Sequence, residues 1–293
     1  MRFSLLSLCA ASAAATDLLL PLYTYPGTNG ASWSSVASAL SSNSALSATV
    51  IINVSNGPGD PFGTTDGPAW AAGGKLLADL PNVSLVGYVH CTRCQRAIAD
   101  VKADIAKWAS WKSSQGVNVG GIFIDESPND GSCVQYMSEL TQYIRSLDGL
   151  GDSVVYNAGF PATPNILDSY FALNPTYISA FETCWSPTSN GEDLCDGSYT
   201  PYDQDGYGTS IDNVLKDWVG TENYAKTAIL VHGFHGTNGF ATANSESLLS
   251  ASEAIVARGI GAAVFTTNHW ITPDAAPADI QTMATTLNAA NKK

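Results

Sequence analysis

The chain has 293 residues, 45% of them hydrophobic and only 13% charged, with 26 acidic residues against 13 basic ones and a formal net charge of −13. That length suits one large domain with a sizeable core. Phosphate backbones and anionic membranes call for basic patches, so neither nucleic acid nor membrane is an expected partner of so acidic a chain.

The N-terminus, Met1-Arg2-Phe3-Ser4-Leu5-Leu6-Ser7-Leu8, carries one positive charge and a short apolar stretch, followed by small residues up to Ala15. This is the pattern of a secretory signal peptide over residues 1–15, leaving a mature single domain of 16–293. No later stretch reaches the roughly 20 apolar residues of a membrane span. A secreted protein is expected, extracellular or wall-bound, and monomeric. Of six cysteines, Cys9 leaves with the signal, so five remain and at most two disulfides can form. Cys184 and Cys195 bracket a short polar loop and are the first expected pair; Cys94 and Cys133 are the second. The Cys91-x-x-Cys94 spacing lacks a partner motif for zinc.

From residue 17 onward, short β-rich runs alternate with helical patterns. The runs cover residues 17–25, 49–54, 83–90, 119–125, 153–158, 177–182, 227–232 and 261–267. The most regular amphipathic segments are 97–115 and 134–147; in the first, Ile98, Val101, Ile105, Trp108 and Trp111 keep a helical spacing. Gly116 and Gly259 are placed as C-caps. Strict alternation predicts parallel strands with right-handed crossovers. Eight such units in one domain predict an α/β fold of the (β/α)₈ TIM-barrel type. The 29-residue stretch from Thr183 to Ile211, rich in Gly, Asp, Ser and Tyr, is expected to be a functional rim loop.

The fourth run, Gly120-Gly121-Ile122-Phe123-Ile124-Asp125-Glu126, ends abruptly in two carboxylates, and the sixth, Tyr177-Ile178-Ser179-Ala180-Phe181-Glu182, ends in another. Acids at strand ends stand on the C-terminal rim, where α/β enzymes keep their chemistry. An Asp after a strand also caps helices and forms turns, so it is the repetition that points to paired-carboxylate hydrolysis of glycosidic bonds. Asp125 and Glu182 are the expected catalytic pair. Neighbouring strand residues face opposite ways, which makes Glu126 the subsidiary acid unless the strand ends between them.

The same rim would gather Tyr23, Tyr25, Asn53, Asn56, His90, Asn157, Trp185, His232, Asn268 and Trp270 as substrate-binding residues. Amides bond sugar hydroxyls and rings stack on pyranose faces. No nucleophile-elbow motif occurs, and His232-Gly-Phe-His235 lacks the spacing of a zinc protease. A metal held by His90, Asp125 and His232 is the weaker alternative, so no metal or cofactor is expected. Two glycosylation sequons begin at Asn53 and Asn82; with Asn53 at a strand end under the cleft, Asn82 is the expected acceptor.

Taken together, Leu20-Pro21-Leu22-Tyr23-Thr24-Tyr25-Pro26, Ile52-Asn53-Val54-Ser55-Asn56-Gly57-Pro58-Gly59, Gly87-Tyr88-Val89, the Phe-x-Asp-Glu block at 123–126 and Phe181-Glu182 resemble the spherulin-4 family. The resemblance implies a secreted (β/α)₈ glycoside hydrolase acting on α-1,4-linked N-acetylgalactosamine in galactosaminogalactan, a polysaccharide substrate, with essential acids at Asp125, Glu126 and Glu182. The chain departs from the family pattern after Gly-Tyr-Val, where His90-Cys91-Thr92-Arg93-Cys94 replaces the usual continuation. Two other readings stay open: an endo-galactosaminidase on deacetylated polymer, and a wall or spore carbohydrate-binding protein without turnover.

Overall fold

The structure is a computed structural model that describes residues 15–184, 215, 218–234, 245–267 and 275–293. Eight strands close into an all-parallel barrel in chain order, the last pairing with the first. They are β1 (Asp17–Leu22), β2 (Ala48–Ile52), β3 (Val83–His90), β4 (Val119–Asp125), β5 (Leu150–Asn157), β6 (Tyr177–Cys184), β7 (Thr227–His232) and β8 (Ala262–Phe265). Every residue of β2 and β7 is buried. That follows from the architecture: one face of each strand fills the barrel interior and the other lies under a helix, so an unbroken β-branched and apolar run is required.

The helices are α1 (Ser34–Ser42), α2 (Gly67–Ala78), α3 (Ile98–Gln115), α4 (Val134–Ser146), α5 (Asp168–Phe171), α6 (Ser245–Ala257) and α7 (Ile280–Ala290). Helix α3 buries Val101, Ile105, Trp108 and Trp111, the stripe read from its spacing. It stops at Gly116, whose φ of 67° lets its N–H fold back onto the carbonyls of Trp111 and Lys112. The Trp108 indole lies flat across β3, and a Cβ on Gly87 would fall 2.4 Å from Trp108 Cδ2. Only glycine admits the ring so close. Trp108 Nε1 then donates to the Tyr88 carbonyl at 2.8 Å, so helix and strand are locked one residue from a side chain that reaches the rim.

Two register shifts interrupt the sheet, one in the β4–β5 pairing between Val119 and Gly121 and one in β6–β7 between Ser179 and Phe181. A shift of this kind re-aims the side chains beyond it. In β6 those side chains include Glu182.

Asn82, the expected glycan acceptor, is engaged by the fold. Its Nδ2, the atom that would carry a glycan, donates to the Leu40 carbonyl at 3.2 Å and the Leu46 carbonyl at 2.8 Å. Both amide protons are thus committed to clamping the segment between α1 and β2. A glycan on Nδ2 would replace one of those protons and leave one of the two carbonyls without its donor.

Candidate active site

Three strand ends converge on the barrel's C-terminal rim: Asp125 closes β4, Asn157 closes β5, and Glu182 lies two residues from the end of β6. They line a cavity of about 610 Å³ whose other walls include Tyr23, Asn53, Tyr88 and Glu126. Asn157 stands between the two acids. Its Nδ2 donates to Asp125 Oδ1 at 2.8 Å and to Glu182 Oε2 at 2.6 Å. Those two oxygens are therefore no farther apart than the sum of the two bonds, about 5.4 Å, which brings both carboxyls within reach of one sugar. The second Asp125 oxygen accepts from the Tyr88 hydroxyl at 2.5 Å.

Electrostatics separates the two acids. Burial, and then the negative charge of Asp125, push the Glu182 carboxyl up to about 7, against which the Asn157 amide pulls modestly downward. Glu182 is thus a proton carrier near neutrality. The Tyr88 phenol is driven far above its ordinary range by burial and by the facing carboxylates of Asp125, Glu126 and Glu182. It therefore stays protonated and always donates.

Glu126 resolves the facing problem that its position raises. Strand β4 ends at Asp125, and Glu126 takes φ 52°, a left-handed conformation that costs an ordinary residue about 1–3 kcal/mol. The turn lets neighbouring side chains open onto one cavity. It is held by the facing loop: Cys91 N–H donates to the Asp125 carbonyl at 3.0 Å, and Arg93 N–H to the Glu126 carbonyl at 2.8 Å. That loop is itself unusual, with Thr92, Arg93 and Cys94 all at positive φ.

The predicted residues fall into distinct places. Tyr23, Asn53, Asp125, Glu126, Asn157 and Glu182 share the main cavity, while Tyr25 lines an adjoining one with Tyr23 and Asn53. Asn56 is exposed at a turn tip with φ 49°, outside both walls. His90 does not line the cavity but touches two residues that do, its Nδ1 3.1 Å from Thr92 Oγ1 and 3.7 Å from Glu126 Oε2. His232 is fully buried at the end of β7. Trp185, Asn268, Trp270, most of the long loop from Thr183 and residues 1–14 lie outside the described residues, as does Cys195, so the Cys184–Cys195 pair does too. The expected Cys94–Cys133 disulfide is corrected: both are free thiols, in hydrogen-bonding contact with each other but not joined, and Cys91 is also free. Sequence reasoning missed Tyr88, Thr92, Arg93, Gln95 and Ser127 in the cavity wall. For Tyr88 a signal existed, since it shares a strand face with the rim residue His90 and its long side chain can reach up one layer.

A model of the spherulation-specific family 4 matches residues 17–285, from the first residue of β1 into the last helix. The chain belongs to that family. Spherulin-4 of Physarum polycephalum is 34% identical over 149 residues, half of this chain and 40% of that protein, so the match spans about two-fifths of the relative's length. Among solved structures, Aspergillus clavatus Sph3 in complex with GalNAc superposes with a TM-score of 0.69 at 21% identity, covering 94% of this chain and 98% of Sph3. An Ostrinia furnacalis group IV chitinase gives 0.53 at 8% identity over 95% of this chain and all of its own. At such identities these two likenesses establish a common barrel. Within this family-4 chain, Tyr88→Phe is expected to lower kcat about 10- to 100-fold, the value of one hydrogen bond to a charged group. Steady-state kinetics alongside an unchanged melting temperature would check it.

Proposed function

We propose that the protein is a secreted, endo-acting glycoside hydrolase that cleaves α-1,4-linked N-acetylgalactosamine in a galactosaminogalactan-like polysaccharide with retention of configuration. The observation that carries this reading is the acid pair bridged by Asn157, close enough for both carboxyls to serve one sugar, with one of them protonated near neutrality. Membership of spherulation-specific family 4 and a barrel shared with a protein solved in complex with GalNAc support it.

In this mechanism Glu182 gives its proton to the glycosidic oxygen as the bond to the anomeric carbon breaks. Asp125 attacks that carbon from the opposite face and forms a glycosyl ester. Glu182, now a carboxylate, takes a proton from water, which displaces Asp125 and restores the starting configuration. In an α-linked N-acetylgalactosamine the acetamido group lies on the same face as the leaving group, so it cannot displace that group from behind. The backside nucleophile must come from the protein, and Asp125 is placed to supply it. Tyr88 and Asn157 each donate to one oxygen of Asp125 and hold the carboxyl aimed. Glu126, half exposed in the same cavity, supplies an acceptor for the sugar's polar groups.

Digestion of purified N-acetylgalactosamine polymer, followed by proton NMR of the first products, tests the reading. New reducing ends that appear first as the α-anomer are expected. The β-anomer would replace retention with inversion, cleavage only of deacetylated polymer would change the substrate, and binding without new ends would make this a carbohydrate-binding protein.

A further inference from the structure

A second cavity of about 400 Å³ adjoins the first on the same rim, lined by Tyr23, Tyr25, Asn53, Asp60, Thr64 and Asp66. Tyr23 and Asn53 belong to both cavities, so this pair forms a shared sill rather than a barrier. The outer cavity is built by the ends of β1 and β2, a single helical turn at Pro61–Gly63 and the start of α2.

Tyr25 is its notable wall. The side chain is 48% exposed, one of two large apolar residues so exposed among the described residues. An exposed tyrosine is ordinarily free to swing, yet this one is pinned. Its hydroxyl donates to Asp66 Oδ1 at 3.1 Å, and its ring meets Trp70 nearly edge-on at 5.9 Å between centroids. Trp70 rests in turn on the fully buried Trp33 at 5.7 Å, so the platform is anchored to the core. A ring fixed before the ligand arrives loses no further rotamer freedom on binding, which favours stacking against a pyranose face. Beside it stand two carboxylates: Asp66 uses one oxygen on Tyr25, and among the described residues neither Asp60 nor Asp66 has an ion-pair partner within 4.0 Å. Lys107 passes close but donates to the Gly59 carbonyl. Ring face, carboxylate acceptors and a threonine hydroxyl suit a hydroxyl-bearing sugar; the charge excludes a uronate or sulfated one.

We propose that this outer cavity is a distal subsite that binds a neutral or amine-bearing pyranose unit of the same polysaccharide chain, away from the bond being cut, with Tyr25 as the stacking platform. The proposal rests on the hydrolase reading above and deepens it: the groove continues over the Tyr23–Asn53 sill towards α2. Its consequence is a length requirement, because only a chain long enough to cross the sill gains the second contact.

The test measures kcat/KM on a ladder of N-acetylgalactosamine oligosaccharides for the wild type, Tyr25→Ala, Tyr25→Phe and Asp66→Asn. The wild-type value should step up by about tenfold once the chain reaches the outer cavity. Tyr25→Ala should flatten that step, and Tyr25→Phe, which keeps the ring, should restore most of it. A step that survives in Tyr25→Ala, or a loss equal at every length, overturns the subsite. Should the wild type cleave none of these oligosaccharides, the hydrolase reading fails instead. Calorimetric binding of the same ladder then decides the subsite alone: affinity that rises with length in the wild type but not in Tyr25→Ala supports it, and equal affinities overturn it.

Discussion

Replacing Glu182 by Gln is expected to yield a protein that is more stable above neutral pH and almost inactive. Loss of a general acid costs about 10²- to 10⁴-fold in kcat. The stability gain follows from the same burial. In the folded protein the carboxyl is pushed up to about 7 from its ordinary value of 4.5, because burial and the charge of Asp125 disfavour its ionised form. The native state therefore holds this proton more tightly than the unfolded chain does. The sign is that of a raised acid: the contribution is fully present below about 4.5 and is lost as pH rises through about 7. At most about 3 kcal/mol is at stake, and Gln, which never ionises, removes the loss. Denaturant midpoints at pH 5 and pH 8 check this, since the variant's advantage should appear only at the higher pH. An advantage equal at both values would mean that Glu182 is not a strained acid. In the wild type, kcat/KM should fall as pH rises through about 7, where the proton donor is lost. Azide tests the division of labour. It should restore turnover to Glu182→Gln with a retained glycosyl azide, and to Asp125→Asn with an inverted one.

How far the sequence foretold this arrangement depends on where each residue's partners lie. Strands β3, β4 and β7 run over the residues their patterns mark, because a strand buried on both faces must be apolar throughout. Strand β1 stops at Leu22, short of the expected residue 25, since Tyr23 and Tyr25 turn outward to wall cavities. Strand β5 begins earlier than its apolar run, at Leu150, because backbone pairing with β4 carries the exposed Asp152 along. At the site, the acids were legible because each ends an apolar run. The role of Asn157 was not. Its position at a strand end marks it as a rim residue, but that it spans two acids depends on β5 lying between β4 and β6 with a particular register. The turn through Thr92, Arg93 and Cys94 was hidden for another reason: three non-glycine residues at positive φ leave no sequence mark, and contacts distant in sequence, with Asp125 and Glu126, help to hold them there.

Asn157→Ala is the complementary expectation, because it leaves both acids in place and removes what sets their spacing. The orientation of the Asn157 amide is dictated by its neighbours. Its Oδ1 accepts from the Gly159 N–H at 3.1 Å, so its NH₂ group must face the two acids. The Gly159 carbonyl in turn accepts from the Glu182 N–H at 2.7 Å, which ties the backbone of the acid to the loop that the amide anchors. The hydrogen bonds to Asp125 and to Glu182 are both lost in the alanine variant, and a fall of about 10²- to 10³-fold in kcat is expected. A loosened fold would lower kcat too, so the pH profile carries the decision. The Asn157 amide lowers the Glu182 carboxyl, and without it the high-pH limb must move upward from about 7. An unmoved limb alongside reduced kcat would reduce Asn157 to a prop for the loop, and the bridge between the acids would lose its part in catalysis.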